Sequence, residues 1–135
     1  SCALLYSQLL KIKKIQNKRK KNWIVFKRLI EKLNTKKFYL IKPNKKSTSA
    51  YHILGLIFKT PSLARKFKNV FQNKKIAATF HYVPLHKSKM GKKFCNYKLP
   101  ITENIYNRVV RLPLFSEMTN KEIKKISALL FRLFN

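Results

Sequence analysis

Net charge constrains this chain more than any other feature. Lysine and arginine together number 32, against four glutamates and no aspartate, for a formal charge of +28. Mutual repulsion at that charge disfavours a compact state and ties stability to ionic strength. Whatever folds must therefore be held by apolar burial. The material for it exists: 45% of the 135 residues are hydrophobic, and a chain of this length can bury roughly two thirds of its unfolded surface. One domain is the expected size. No apolar run approaches the ~18 residues of a membrane span.

A strongly basic small domain first suggests nucleic acid as a partner. The choice of cation argues otherwise. Of the 32, 26 are lysine and six arginine, whereas nucleic-acid readers favour the forked, bidentate donors of arginine. The cations are scattered along the chain. Lys, Asn, Ile, Phe and Tyr are abundant, while Gly occurs twice and Ala six times, and the abundant types are those that AT-rich codons encode. The pattern is that of a mutational bias, with surface positions drifting to lysine. A small basic nucleic-acid-binding module is the competing reading, and a non-functional remnant of a degraded gene is a third. Weak, non-specific polyanion binding is expected under each.

Apolar spacing predicts a long helix over Ala3–Leu33, with Leu5, Leu9, Ile12, Ile15, Trp23, Phe26, Ile30 and Leu33 on one face and Asn34 at its end. Arg19 occupies a seam position in its polar middle. Phe38–Ile41 is a strand candidate stopped by Pro43, and Tyr51–Phe58 a buried strand. Thr60 followed by Pro61 marks a helix start, with Leu63, Phe67, Val70 and Phe71 as its inner face. Ile76–Tyr82 is the next strand, and Val83–Lys98 a long surface loop. Thr102 is expected to cap a helix over Glu103–Val110, after which Leu112–Phe115 is extended. Thr119 and Glu122 have the spacing of a capping box ahead of a terminal helix. The sum is a small α+β layer, helices over one face of a short sheet.

Little catalytic apparatus is visible. His52, His81 and His86 do not share a helix at metal-ligand spacing, so no zinc site is expected. Gly55 and Gly91 are the only glycines, too few for a phosphate-cradling loop. Cys2 and Cys95 form no disulfide framework, which points to a reducing cytoplasm. The chain opens Ser1-Cys2 rather than with Met, without the features of a signal peptide, and the start of the gene is expected to lie upstream. The densest polar-aromatic cluster is His81-Tyr82-Val83-Pro84-Leu85-His86, leaving a strand and entering the long loop. It either presents side chains to a ligand or simply closes the strand at a proline turn.

That cluster also carries a resemblance. Ala78–His86, followed by Gly91 and Phe94, resembles a signature of the DegT/DnrJ/StrS-type nucleotide-sugar aminotransferases. So do Leu99–Glu103, the closing Arg108–Thr119 with its Arg111-Leu112-Pro113-Leu114-Phe115 core, Tyr51-His52-Ile53, and Ser7–Leu10 within the opening helix. The matches keep the family's order and spacing, and look most like the branch that makes dTDP-4-amino-4,6-dideoxygalactose. Leu10 departs from the family's usual Glu, and Lys87, Lys89, Lys92 and Lys93 have entered the loop.

The resemblance implies the small C-terminal domain of an aspartate-aminotransferase-like fold, with residues 1–34 as a long helix joining a large domain outside this sequence and 35–135 as the small domain. It implies a homodimeric, cytoplasmic enzyme using pyridoxal phosphate (PLP) and an amino-acid donor to aminate a 4-keto-6-deoxy sugar nucleotide for surface polysaccharide. None of the lysines here lies in the family's Schiff-base motif, so no catalytic residue is assigned and the chain alone is expected to be inactive and cofactor-free. By the same resemblance Tyr82, His86 and, less centrally, His52 line the substrate side.

Overall fold

The computed structural model describes residues 2–44, 46–94 and 97–134. The expectations for Ser1 and Cys95 lie outside the described residues. In chain order the elements are α1 Cys2–Leu10, α2 Ile12–Lys32, β1 Phe38–Leu40, β2 Leu54–Phe58, α3 Pro61–Asn73, β3 Thr79–Phe80, a 3-10 turn Leu85–Lys87, α4 Gly91–Phe94, α5 Pro100–Tyr106, β4 Val109–Leu112 and α6 Asn120–Phe134. The class is α+β, as expected. The chain divides into two compact units: one of Ser1–Thr35, Lys42–Leu54 and Leu114–Asn135, the other of Lys36–Ile41 and Gly55–Pro113.

The first unit is helical. The single long helix expected over Ala3–Leu33 is instead two, parted at Lys11, whose backbone leaves helical values at φ −104 and ψ 3. No residue of α1 is buried; Leu5 and Leu9 stand 60% and 54% exposed, so the expected apolar face is not covered there. It becomes a packed face only from Trp23 onward, with Phe26, Ile30 and Leu33 also buried. Asn34 turns the chain at a φ of 42°, a left-handed value asparagine tolerates. On α6, Ile123, Ile126 and Leu130 are buried at three- and four-residue spacing. The capping box forms: the Glu122 N–H donates to Thr119 Oγ1 at 3.2 Å, and the Thr119 N–H donates to Glu122 Oε2 at 2.8 Å. Those bonds to the ionised carboxylate lower the Glu122 pKa, the backbone bond from Thr119 most of all. Lys18 and Glu117 pair at 2.8 Å, and Asn22 Nδ2 donates to the Phe115 carbonyl at 3.0 Å.

The second unit is a four-stranded sheet in the order β1-β2-β4-β3. β1 and β2 run antiparallel with Phe38 opposite Phe58; β3 and β4 run antiparallel with Thr79 opposite Arg111 and Phe80 opposite Val110. Helix α3 begins as expected, Thr60 Oγ1 accepting from the Leu63 N–H at 3.2 Å ahead of Pro61. Its buried face of Ala64, Phe67 and Phe71 meets an aromatic line. Ring centroids lie 5.4 Å apart for Phe38–Phe58, 4.9 Å for Phe58–Phe67 and 4.2 Å for Phe67–Phe71.

Three further expectations are corrected. The strand expected over Tyr51–Phe58 begins only at Leu54, because Tyr51 adopts a left-handed φ of 48° that no strand accommodates. The strand expected over Ile76–Tyr82 is Thr79–Phe80 alone, although Ile76 and Ala78 are buried. The largest correction falls on the helix expected over Glu103–Val110 with a Thr102 cap. Helix α5 starts at Pro100 after Leu99 and ends at Tyr106, and Val109–Leu112 forms strand β4. Local helix preference differs by less than ~1 kcal/mol per residue. It gives way to sheet pairing on both sides, including a bond from the Phe58 N–H to the Arg108 carbonyl at 2.9 Å.

Candidate functional site

The loop after β3 is built by short-range bonds. Pro84, buried, holds φ −54 and opens the 3-10 turn. The Ser88 hydroxyl donates to the Leu85 carbonyl at 2.8 Å and accepts from the Gly91 N–H at 2.9 Å, closing the turn on itself. Gly91 is required by the close approach of its backbone to that of Leu85. A Cβ at Gly91 would overlap the Leu85 carbonyl oxygen and lie 2.6 Å from the carbonyl carbon.

This turn sets His86 inward. Its side chain is 8% exposed and its Nε2 lies 3.2 Å from Glu103 Oε1 on α5. Glu103 is held from two further directions. Lys87 Nζ lies 2.6 Å from its Oε2, and the Leu99 N–H donates to Oε1 at 3.4 Å. The hydrogen bond from Lys87 foremost, then those from His86 and Leu99, holds the Glu103 carboxyl down at about 2, against an ordinary value of 4.5, despite partial burial. With an ionised carboxylate as acceptor, a neutral His86 ring donates from Nε2 and keeps Nδ1 as an acceptor. Pro84, Leu85, His86, Phe94, Tyr97 and Thr102 line an open cavity of about 380 Å³ beside this pair. An oriented imidazole at the edge of an apolar pocket can accept or donate one hydrogen bond to a polar ligand.

Because the Glu103 pKa is lowered on folding, its contribution to the loop is complete above about pH 4.5 and is lost as pH falls toward 2. Carbon-detected NMR of the Glu103 carboxyl should give a midpoint near 2, and amide protection over residues 85–99 should fall with it. A midpoint at 4.5 with protection unchanged would show the carboxylate to be unengaged.

Tyr82 is placed differently. It is 74% exposed, with the Arg111 guanidinium carbon 5.3 Å from its ring centroid and the His81 ring edge-on at 5.1 Å. It does not line the cavity at His86. His52 belongs to the other compact unit and is exposed. The three expected site residues thus fall into three settings. Sequence reasoning did not foresee Glu103, Lys87 or Arg111 as members of these clusters. Glu103 read as a helix residue, Lys87 as one of many drifted lysines, and Arg111 as part of a motif without a role. The one available signal was the rarity of carboxylate in the chain. Among the described residues no group of three His, Cys, Asp or Glu side chains gathers as a metal site, and no helix is long and apolar enough to cross a membrane.

Comparison with known proteins agrees with this architecture. PseC of Helicobacter pylori, an aminotransferase involved in the biosynthesis of pseudoaminic acid, superposes with a TM-score of 0.83 at 19% identity, over 96% of this chain and 35% of that one. The aminotransferase TlmJ of Streptoalloteichus hindustanus gives 0.84 at 16% identity, over 94% and 34%. S. venezuelae DesV, solved in complex with a ketimine intermediate, gives 0.83 at 15% identity, over 98% and 35%. At these identities the likeness establishes the fold, and the chain spans about a third of the length of each structure. No curated protein sequence matches it. The profile of the DegT/DnrJ/EryC1/StrS aminotransferases matches residues 1–131, nearly the whole sequence. The chain belongs to the DegT/DnrJ/EryC1/StrS aminotransferase family.

Proposed function

We propose that this chain is the small C-terminal part of a PLP-dependent, homodimeric, cytoplasmic enzyme. That enzyme transfers an amino group from an amino acid to a 4-keto-6-deoxy sugar nucleotide for surface polysaccharide, in the branch that makes dTDP-4-amino-4,6-dideoxygalactose. Residues 1–34 join it to the cofactor-bearing domain, and 35–135 shape the substrate side through His86, Tyr82 and His52. The observation that carries the reading is the family match from residue 1 to residue 131.

The residues of this chain do not fit the cofactor by themselves. PLP supplies an electron sink and needs an acid at its pyridine nitrogen. The sequence has no aspartate and four glutamates, and each glutamate is already engaged. Glu31 pairs with Lys42 at 3.1 Å, Glu103 with Lys87 and His86, Glu117 with Lys18, and Glu122 with the Thr119 cap. The chemical step therefore belongs to residues outside this chain, and what this chain contributes is binding and orientation.

Two measurements test the reading. The isolated chain mixed with PLP should show no saturable one-to-one visible band, and borohydride should trap only substoichiometric label spread over its exposed lysines. The polypeptide encoded from the gene's own start should bind PLP and aminate a 4-keto-6-deoxy sugar nucleotide from an amino-acid donor. A stoichiometric borohydride-trapped adduct at a single lysine of this chain, or no lysine-bearing domain encoded upstream, would overturn it.

A further inference from the structure

Helix α3 covers the sheet unevenly. Ala64, Phe67 and Phe71 are buried beneath it, but on its flank Arg65 and Lys68 stand over the edge strand β3 without closing on it. The gap is an open cavity of about 270 Å³. Its floor is apolar, made by the buried side chains of Ala64, Val109 and Val110. Phe80 forms one wall and stays 52% exposed although it pairs with Val110 across the sheet. Tyr106, at the end of α5, lines it as well. Bonds outside the cavity fix these walls. Gln72 Nε2, on the same flank of α3, donates to the Ala78 carbonyl at 3.4 Å just ahead of β3. Arg108 Nη1 ties the end of α5 to the Lys59 carbonyl at 3.3 Å. The recess is therefore formed before any ligand arrives.

Charge gathers at its mouth. Lys68 is half-buried, with its ammonium 5.6 Å from the Phe80 ring centroid, and the exposed Arg65 lies one helical turn before it. Two cations at that spacing repel one another. Among the described residues no carboxylate offsets them, because Glu31, Glu103, Glu117 and Glu122 are engaged elsewhere. An apolar recess with a few polar groups converging on it is the usual build of a small-molecule site. Here both halves ask for occupation. A ring would displace water from the floor and pack against Phe80, and an oxyanion on that ring would take charge-assisted bonds from Lys68 and Arg65. A neutral ring leaves the cations unpaired, and a bare anion leaves the floor wet. We propose that this cavity binds a small aromatic anion, a single ring bearing a carboxylate or a phosphate. It shares none of its lining residues with the cavity at His86, so aromatic-anion binding here is independent of the aminotransferase reading.

The test titrates the labelled chain by NMR at constant ionic strength set with chloride. Benzoate and phenyl phosphate are compared with benzyl alcohol, which keeps the ring without the charge, and with acetate, which keeps the charge without the ring. At least one aromatic anion should shift the Val109 and Val110 methyls and the Phe80 ring saturably, with Overhauser contacts from its ring to those methyls. The tighter of the two identifies the anionic group. Benzyl alcohol and acetate should each bind about tenfold more weakly or less. Lys68→Gln and Arg65→Gln should each weaken the aromatic anion several-fold, as expected for partly exposed ion pairs, and Phe80→Ser should do the same. All three side chains are at least half-exposed, so the amide spectrum should stay that of the folded chain. Lys92→Gln, which removes one exposed charge from the loop, is the control and should leave the affinity unchanged. Equal responses to benzoate and acetate, or equal losses in Lys68→Gln and Lys92→Gln, would leave only the general attraction of a +28 chain for anions and overturn the proposal. Equal affinity for benzyl alcohol, or no saturable shift at Val109, Val110 and Phe80, would overturn it as well.

Discussion

Replacing Phe58 by alanine is expected to cost about 3–5 kcal/mol of folding free energy, the range for emptying a phenylalanine from a packed core. Phe58 is fully buried on β2 and sits in the middle of the aromatic line, in contact with Phe38 on one side and Phe67 on the other. Its loss removes the burial of its own ring and leaves both neighbours facing a void. The neighbours are fixed by the sheet register and by α3, so collapse into the gap is limited. A domain of this size has about 5–15 kcal/mol in total, and the repulsion of a +28 chain lowers that margin. Urea denaturation followed by circular dichroism, at matched moderate salt, should show the midpoint fall by a third or more. A loss below about 1 kcal/mol would mean that Phe58 does not bridge β1 and α3.

The second large effect is expected at Gly91, and it should be local. The added methyl of Gly91→Ala cannot be met by a side-chain adjustment, because what it strikes is the Leu85 main chain, with Ser88 Oγ also 3.0 Å away. Either the turn at Leu85–Ser88 opens or α4 shifts, at a cost of about 1–3 kcal/mol for an overpacked site that must relax. The turn it disturbs is the one that sets His86 against Glu103. The melting temperature should fall by a few degrees for each kcal/mol lost, and nuclear Overhauser contacts from the His86 ring to Glu103 should weaken or vanish. If those contacts persist unchanged, the close approach of Gly91 to Leu85 is not what holds the loop. Gly55 makes a control from the same sheet. A Cβ there meets the tip of the Ile41 side chain at 2.7 Å, which can swing aside, so Gly55→Ala should cost less.

Lysine composition has a more mixed meaning than drift alone. Most of these side chains are exposed and unpaired by acids, as a mutational bias would leave them. Lys87, however, is close enough to Glu103 to fix its ionisation, and Lys18 and Lys42 take two of the three remaining glutamates. With four carboxylates in the chain, each one becomes a local organising centre.

Several features were legible in the sequence because they depend on neighbours a few residues apart. The caps at Thr60 and Thr119, the buried faces of α3 and α6, the Asn34 turn and the α+β class all follow from spacing and side-chain chemistry within one or two helical turns. The ordered motifs from Ser7 to Thr119 likewise carried the family. Tertiary structure decided the rest, for reasons of pairing at a distance. Val109 and Val110 read as the end of a helix until Phe58 and Phe80, roughly 50 and 30 residues away, draw them into the sheet. Leu5 and Leu9 carry the spacing of a packed helix, yet spacing cannot say whether anything covers them, and among the described residues nothing does. Among the candidate residues, His86 was visible by its type and Tyr82 by its motif. What each faces, Glu103 for one and Arg111 for the other, was set only when α5 and β4 were brought back to the loop.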